Sequence, residues 1–189
     1  MTPGETLYVT DPRSWREWLR KNHKKKNEIW LVYYRKETGK PRISYDEAVE
    51  EALCFGWIDS TVRSLDDERF AQRFSPRKKT SRLSEMNRQR IRTLIDQKRM
   101  TKAGLQAVAH VFDPEAGDGG PIEIAPDILQ ALKENEQAWA NFQAFPEHYK
   151  RIRIAYIESQ RRHGEEQFRR ALDHFIRMTE KNKRFGLVK

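Results

Sequence analysis

The amino-acid sequence predicts an α+β fold, with a small and mostly antiparallel sheet flanked by helices in the N-terminal half and an all-helical C-terminal half. Ile29–Tyr34 is β-branched and aromatic, which is typical of a central strand. Residues 69–74 alternate polar and apolar side chains, as a strand with one buried face does. Residues 7–9 and 57–62 predict the other strands, and beyond the basic loop at 75–82 the apolar residues recur at helical spacing.

Capping signals predict where the N-terminal helices begin and end. Asp11 stands before a proline, the expected order at a helix start. Ser44 and Glu47 have the spacing of a capping box, and Gly56 can end the helix that they start. The glutamates of this second helix, Glu51 among them, are expected to face largely away from the core.

The C-terminal half is predicted to be a series of helices. Ser84 and Thr101 are suited to cap the first two, because their hydroxyls accept hydrogen bonds from backbone N–H groups. A Gly- and Pro-rich stretch follows, and its composition predicts a linker. We therefore predict an α/β unit at residues 1–112, a linker at 113–126 and a helical region at 127–189.

Composition favours an intracellular protein with anionic partners. Lys and Arg number 37 against 28 Asp and Glu, a formal net charge of +9. Such a charge attracts anions, although it also serves solubility alone. Cys54 is the one cysteine, which fits a reducing compartment, and its apolar neighbours favour a buried structural thiol. Neither a secretory signal nor an apolar run of about 20 residues is seen, so no membrane span and a cytoplasmic location are expected.

Three blocks of sequence carry a family resemblance. They read AVEEALCFGWIDS at residues 48–60, QRFSPRK at 72–78 and RMTKAGL at 99–105. A looser match surrounds Tyr149 and residues 157–159. These blocks resemble the YdeI/OmdA family of bacteria, the bacteriocin-protection, YdeI or OmpD-associated proteins. The resemblance implies an association with protection against bacteriocins or cationic peptides, and it implies no defined chemistry.

One region combines residues suited to anion binding. If Arg73 ends a strand and Pro76 bends the chain, the guanidiniums of Arg73 and Arg77 converge, and each matches a carboxylate or phosphate bidentately. The helix after Ser84 adds backbone N–H donors. The predicted ligand-binding residues are Trp57, Asp59, Arg73, Arg77, Ser84 and Asn87. The alternative is an internal Asp59–Arg73 pair that holds two strands in register, with Trp57 packed behind it.

The leading functional hypothesis is a non-catalytic binder of a small anionic ligand or of an acidic protein surface. The sequence contains no HExxH, Cys/His ligand cluster, Gly-rich phosphate loop or Gly-x-Ser-x-Gly elbow, so no metal and no cofactor are predicted and catalysis is left open. One alternative is an enzyme on a small anionic substrate, with Asp59 as acid or base. Another is a nucleic-acid-binding protein, which three basic stretches at residues 24–26, 77–82 and 151–181 favour.

Overall fold

The computed structural model describes residues 3–116 and 120–186. Residues 1–2, residues 187–189 and, in the predicted linker, residues 117–119 lie outside this description. Over the described residues the fold is α+β, as the sequence predicts: a four-stranded sheet in the N-terminal half is followed by helices alone.

The chain forms two compact units, each with its own hydrophobic core. The first comprises the residues up to Leu83 together with Arg90–Asp113. The second comprises Ser84–Gln89 and the residues from Pro114 onward. The three-part division drawn from the sequence stays a prediction, and the two units are described separately below.

The sheet of the first unit has the strand order β1-β2-β4-β3. Its strands are β1 (Thr6–Tyr8), β2 (Ile29–Tyr34), β3 (Trp57–Ser64) and β4 (Arg69–Pro76). The β2–β4 and β3–β4 pairs are antiparallel and only the short edge strand β1 runs parallel to β2, which confirms a mostly antiparallel sheet. A register shift between Asp59 and Val62 interrupts the β3–β4 ladder.

Two capped helices, α1 (Pro12–Asn22) and α2 (Tyr45–Cys54), pack against one face of this sheet. The Asp11 side chain accepts a hydrogen bond from the Ser14 amide, and both halves of the Ser44 capping box are formed. The chain continues into α3 (Glu85–Asp96), of which the part from Arg90 belongs to the first unit, and into α4 (Lys102–Val108). The predicted helix starts are therefore confirmed.

Two of the blocks that carry the family resemblance meet where α4 packs on the end of α2. The Thr101 hydroxyl donates to the Cys54 carbonyl oxygen at 2.6 Å and also caps α4. A Cβ at Gly104 would lie 2.3 Å from that same oxygen, so only glycine permits this approach. Gly56, at a φ of 75°, faces the backbone of Ala103 across the same contact. These residues therefore serve helix packing.

The expectation that the glutamates of α2 face outward is wrong for Glu51. This carboxylate is 5% exposed. It pairs with Arg16 of α1 at 2.6 Å and with Arg99 at 2.8 Å. The pairing satisfies the charge that burial would otherwise leave unpartnered.

The second unit contains α5 (Pro126–Glu134), α6 (Glu136–Ala144), α7 (Glu147–Gln160) and α8 (Glu165–Glu180). The breaks between them are local: the Asn135 side chain caps α6, and Gly164, at a φ of 102°, precedes α8. Their apolar faces form one core. Its most fully buried members, each less than 1% exposed, are Ile128, Leu132, Tyr149, Ile157 and Phe175.

Candidate functional site

The sheet places Asp59 and Arg73, two of the predicted ligand-binding residues, on opposite faces. Asp59 is the register partner of Phe74, whose ring lies in the core against α1. Arg73 is the register partner of Trp30. Because neighbouring residues of a strand point to opposite faces, Asp59 lies on the helix-covered face and Arg73 on the other. The alternative Asp59–Arg73 pair is therefore not what the structure shows.

Arg73 makes an ion pair with a different carboxylate. Its Nε and Nη2 atoms contact the Glu28 Oε2 atom at 2.8 and 2.7 Å, and its Nη1 atom lies 3.4 Å from the Ser60 hydroxyl. The hydrogen bond from Arg73 lowers the pKa of the Glu28 carboxyl. An anion arriving at this face would have to compete with Glu28 for the guanidinium.

Asp59 belongs to a polar cluster on the helix side of the sheet. Its Oδ2 atom accepts hydrogen bonds from the Tyr45 hydroxyl at 3.0 Å and from the Gln72 amide at 2.8 Å. Burial, together with the charge of Asp59, raises the pKa of Tyr45 to about 12. The hydroxyl of Tyr33 is buried in the first unit and has no hydrogen-bond partner among the residues described.

The other predicted ligand-binding residues of the first unit are buried. Trp57 is 1% exposed, and its indole N–H donates to the His23 carbonyl at 3.2 Å. Arg77 is also buried, and its Nη2 atom donates to the Ser81 carbonyl at 2.8 Å. Trp57 is thus a core residue like Trp15, and Arg77 ties together the loop that follows β4.

Ser84 and Asn87, the last two predicted ligand-binding residues, belong to the second unit. The Ser84 hydroxyl accepts a hydrogen bond from the Asn87 amide at 3.3 Å. Ser84 therefore acts at the start of α3, as predicted, while a shared anion site with the residues of the sheet stays a prediction.

The second unit contains a buried guanidinium that the sequence reasoning did not single out. Arg153, on α7, is 7% exposed. Its Cζ atom lies 4.0 Å from the ring centroid of Phe185 and 4.9 Å from that of Tyr156. A cation over an aromatic face is attracted by the ring quadrupole, so the two rings hold this guanidinium in place.

No carboxylate compensates this charge within the described part of the chain. Arg153 makes no ion pair there, and its buried Nε atom has no hydrogen-bond partner. Burial lowers the pKa of Arg153 from its ordinary value, and only the hydroxyls of Tyr149 and Tyr156 oppose that shift. A buried cation without a counter-ion is costly, which makes it a place where an anion binds favourably.

Arg153 lines a cavity of about 540 Å³ in the second unit. We call it the Arg153 pocket. Its apolar lining includes Met86, Tyr156, Ala171 and Phe185. Its polar lining includes Gln160, Gln167, Arg170 and His174. A concave, mostly apolar site with a few convergent polar groups is what small-ligand pockets look like.

Helical periodicity is the signal with which the sequence could have indicated this pocket. Arg153, Tyr156 and Gln160 stand at i, i+3 and i+7 on α7, and Gln167 and His174 stand seven residues apart on α8. Each set lies on one helix face. The sequence reasoning grouped Arg153 with its exposed basic neighbours, because spacing alone does not distinguish a buried arginine from a solvated one.

Many of those basic neighbours are paired with acidic side chains. Arg161 contacts Asp127 and Glu158, each at 2.8 Å. Arg169 contacts Glu165 one turn earlier in α8, also at 2.8 Å. Such pairs reduce the positive field that a nucleic-acid-binding surface needs.

Among the residues that the structure describes, no helix combines the length and the apolar character that crossing a membrane requires. Within the same residues, no group of three or more His, Cys, Asp or Glu side chains is arranged to hold a metal ion.

Cys54 is fully buried, and burial raises the pKa of its thiol.

Comparison with known proteins identifies two families in the chain. Residues 7–107 match a family described as a domain of unknown function (DUF8412). Residues 121–182 match the family described as bacteriocin-protection, YdeI or OmpD-associated. No curated protein and no solved structure matches the chain. The family seen in the sequence is thus confirmed, and its match includes the looser resemblance around Tyr149 and residues 157–159 but none of the three N-terminal blocks.

The chain therefore belongs to the DUF8412 domain family, whose model covers residues 7–107, and its residues 121–182 are similar to the bacteriocin-protection, YdeI or OmpD-associated family.

Proposed function

We propose that this protein is a non-catalytic binder of a small organic anion, and that the Arg153 pocket is its binding site. One observation carries the proposal: a buried guanidinium lines a cavity and has no carboxylate partner among the described residues. The pocket lies within the second unit, the part of the chain that matches the family named for bacteriocin protection.

Charge balance is the physical reason for favouring an anion. Arg153 retains a positive charge at any physiological pH, because a guanidinium is not deprotonated in proteins. Removing that charge from water costs free energy that a bound anion recovers through charge-assisted hydrogen bonds. The aromatic rings around it offset only part of the cost.

The cation at the sheet is a weaker candidate for the same role. Arg73 already contacts the Glu28 Oε2 atom through two of its nitrogens, and its side chain is 33% exposed. Water therefore screens it, and an anion would gain little over the existing pair. This comparison leads us to place the anion site in the second unit.

The test is a thermal-shift screen of the full chain against benzoate, naphthalene-2-carboxylate, phenyl phosphate and adenosine monophosphate. A ligand present at 100 times its dissociation constant stabilises the native state by about 2.7 kcal/mol. For a chain of this length such a gain raises Tm by about 5–10 °C. We expect at least one of these anions to do so.

Three charge-removing variants identify the site. Arg153→Met keeps the apolar stem and removes the guanidinium, and we expect it to abolish the shift. Arg169→Met removes an exposed, paired arginine that does not line the pocket, so it should keep the shift. Arg73→Met tests the sheet. A shift that survives in Arg153→Met refutes the proposal, and a shift lost only in Arg73→Met moves the site to the first unit.

A further inference from the structure

We infer that the Arg153 pocket selects a monocarboxylate that carries an aromatic or other flat apolar body. The inference rests on the proposed function, because it names the class of anion that the proposed site takes. Three features of the pocket support it: the amount of uncompensated charge, the chemistry of the walls and the uncharged polar groups among them.

The uncompensated charge of the pocket is a single positive charge. Arg170 also lines the cavity, but its side chain is 69% exposed and pairs with Glu166. Arg153 is thus the one buried cation in the lining that lacks a carboxylate partner among the described residues. A monoanion neutralises it. A phosphate monoester carries about 1.5 to 2 negative charges at neutral pH, and the described lining offers no second arginine or lysine without a carboxylate partner for the excess.

His174 also lines the pocket, and its imidazole packs edge-on against Phe185, with the ring centroids 4.6 Å apart.

The walls favour an apolar body next to the anionic group. Phe185 and Tyr156 lie against the guanidinium, and Met86 and Ala171 contribute further apolar surface. An apolar ligand body removes this surface from water and gains free energy in proportion to the area buried. A planar carboxylate on that body matches the guanidinium fork.

The remaining polar groups are suited to orient a ligand and not to add charge. Gln160 of α7 and Gln167 of α8 line the same cavity, and each offers one acceptor and two donor hydrogens. Such groups hydrogen-bond a hydroxyl or amide substituent on the ligand. They give no reason for a second anionic group.

The experiment is isothermal titration calorimetry on the full chain at pH 7.5 with four matched probes: naphthalene-2-carboxylate, its primary amide, 2-naphthyl phosphate and acetate. We expect the carboxylate to bind at least about tenfold tighter than the phosphate. Loss of the apolar body in acetate should weaken binding by about 70-fold, the ratio that burying about 100 Å² of apolar surface at about 25 cal/mol per Å² gives. The neutral amide should bind at least about tenfold more weakly than the carboxylate.

Variants separate failure of this inference from failure of the proposed function. Arg153→Met should abolish binding of every anionic probe, with Arg169→Met as the matched control. If Arg153→Met does not fold, Arg153→Lys replaces it: the charge is kept but the planar fork is lost, so carboxylate binding should weaken at least about tenfold.

The outcomes of the titration separate the monocarboxylate inference from the anion-binding function. Arg153-dependent binding of 2-naphthyl phosphate as tight as that of the carboxylate overturns the monocarboxylate inference and leaves the anion-binding function standing. Equal binding of the amide and the carboxylate overturns both claims, since the negative charge would then not be recognised. Binding of none of the anionic probes in an Arg153-dependent way overturns both.

Discussion

Replacing Gly104 by alanine is the sharpest test of how the first unit is packed. Gly104 lies inside α4, where alanine by propensity alone would stabilise the helix by about 1 kcal/mol. The structure predicts that alanine at this position instead lowers the free energy of unfolding. A Cβ at this position would lie 2.3 Å from the Cys54 carbonyl oxygen and 2.8 Å from that of Leu53. Carbon–oxygen contacts normally lie at about 3.3–3.6 Å, so α4 would have to move away by about 1 Å.

The expected loss follows from what that movement disturbs. Overpacking in a filled interior costs about 1–3 kcal/mol. The movement also lengthens the two hydrogen bonds from Thr101 to the Cys54 carbonyl, at 2.6 Å from the hydroxyl and 3.1 Å from the amide. Each weakened bond costs about 1 kcal/mol. After subtracting the gain in propensity, we expect Gly104→Ala to lower the free energy of unfolding by about 3 kcal/mol.

The measurement is urea unfolding followed by tryptophan fluorescence in a Trp139→Phe background, because the other four tryptophans all lie in the first unit. Gly39→Ala is the matched control. Gly39 has a φ of 65° with nothing within 4 Å of an added Cβ, so only the backbone penalty of about 1–2 kcal/mol is expected there. A Gly104→Ala protein as stable as its parent, or more stable, would show that the close approach of α4 to Cys54 is wrong.

Three further predictions concern buried polar groups of the first unit. Tyr33→Phe should raise the free energy of unfolding by about 1 kcal/mol, because it removes a buried hydroxyl without a partner among the described residues and keeps the ring stacked on Phe70. A lower stability in urea unfolding would instead show that the hydroxyl has a hydrogen-bond partner. Glu51→Gln should lower the free energy of unfolding by about 2 kcal/mol, a figure reduced because both arginine partners are about one-third exposed. The control variant Glu68→Gln breaks an exposed ion pair and should lower it by at most about 0.5 kcal/mol. Equal losses in the two variants would contradict the burial of Glu51. Cys54 should stay unlabelled by Ellman's reagent in the folded protein even at pH 9, since burial excludes the reagent and raises the pKa of the thiol, and rapid labelling would refute this.

The quoted family blocks of the first unit have mainly structural roles. Thr101 and Gly104 let α4 approach α2, and Trp57 fills the core behind α1. Family motifs of this kind reflect the packing that a fold demands. The residue that best supports a function, Arg153, lies outside all three blocks.

The order of the helices and strands could be predicted from the sequence because their signals are local. The proline after Asp11, the capping box at Ser44 and the hydroxyl of Thr101 act on backbone groups within three residues. Each of these capping signals is complete within one short segment, and each was confirmed. β4 forms where the sequence predicts a strand, but its burial does not alternate, because Ala71 and Gln72 are both buried.

The partners of charged side chains were decided only by the tertiary structure. Glu51 and Arg99 meet although they lie 48 residues apart, and Arg73 meets Glu28 across 45 residues. The register of the strands placed Asp59 and Arg73 on opposite faces of the sheet, and this register cannot be read from the sequence. Spacing determined that Arg153 lies on one helix face with Tyr156. Whether that face meets water, a carboxylate or an empty cavity depends on which distant segments pack against it, and this is why the candidate site emerged only from the fold.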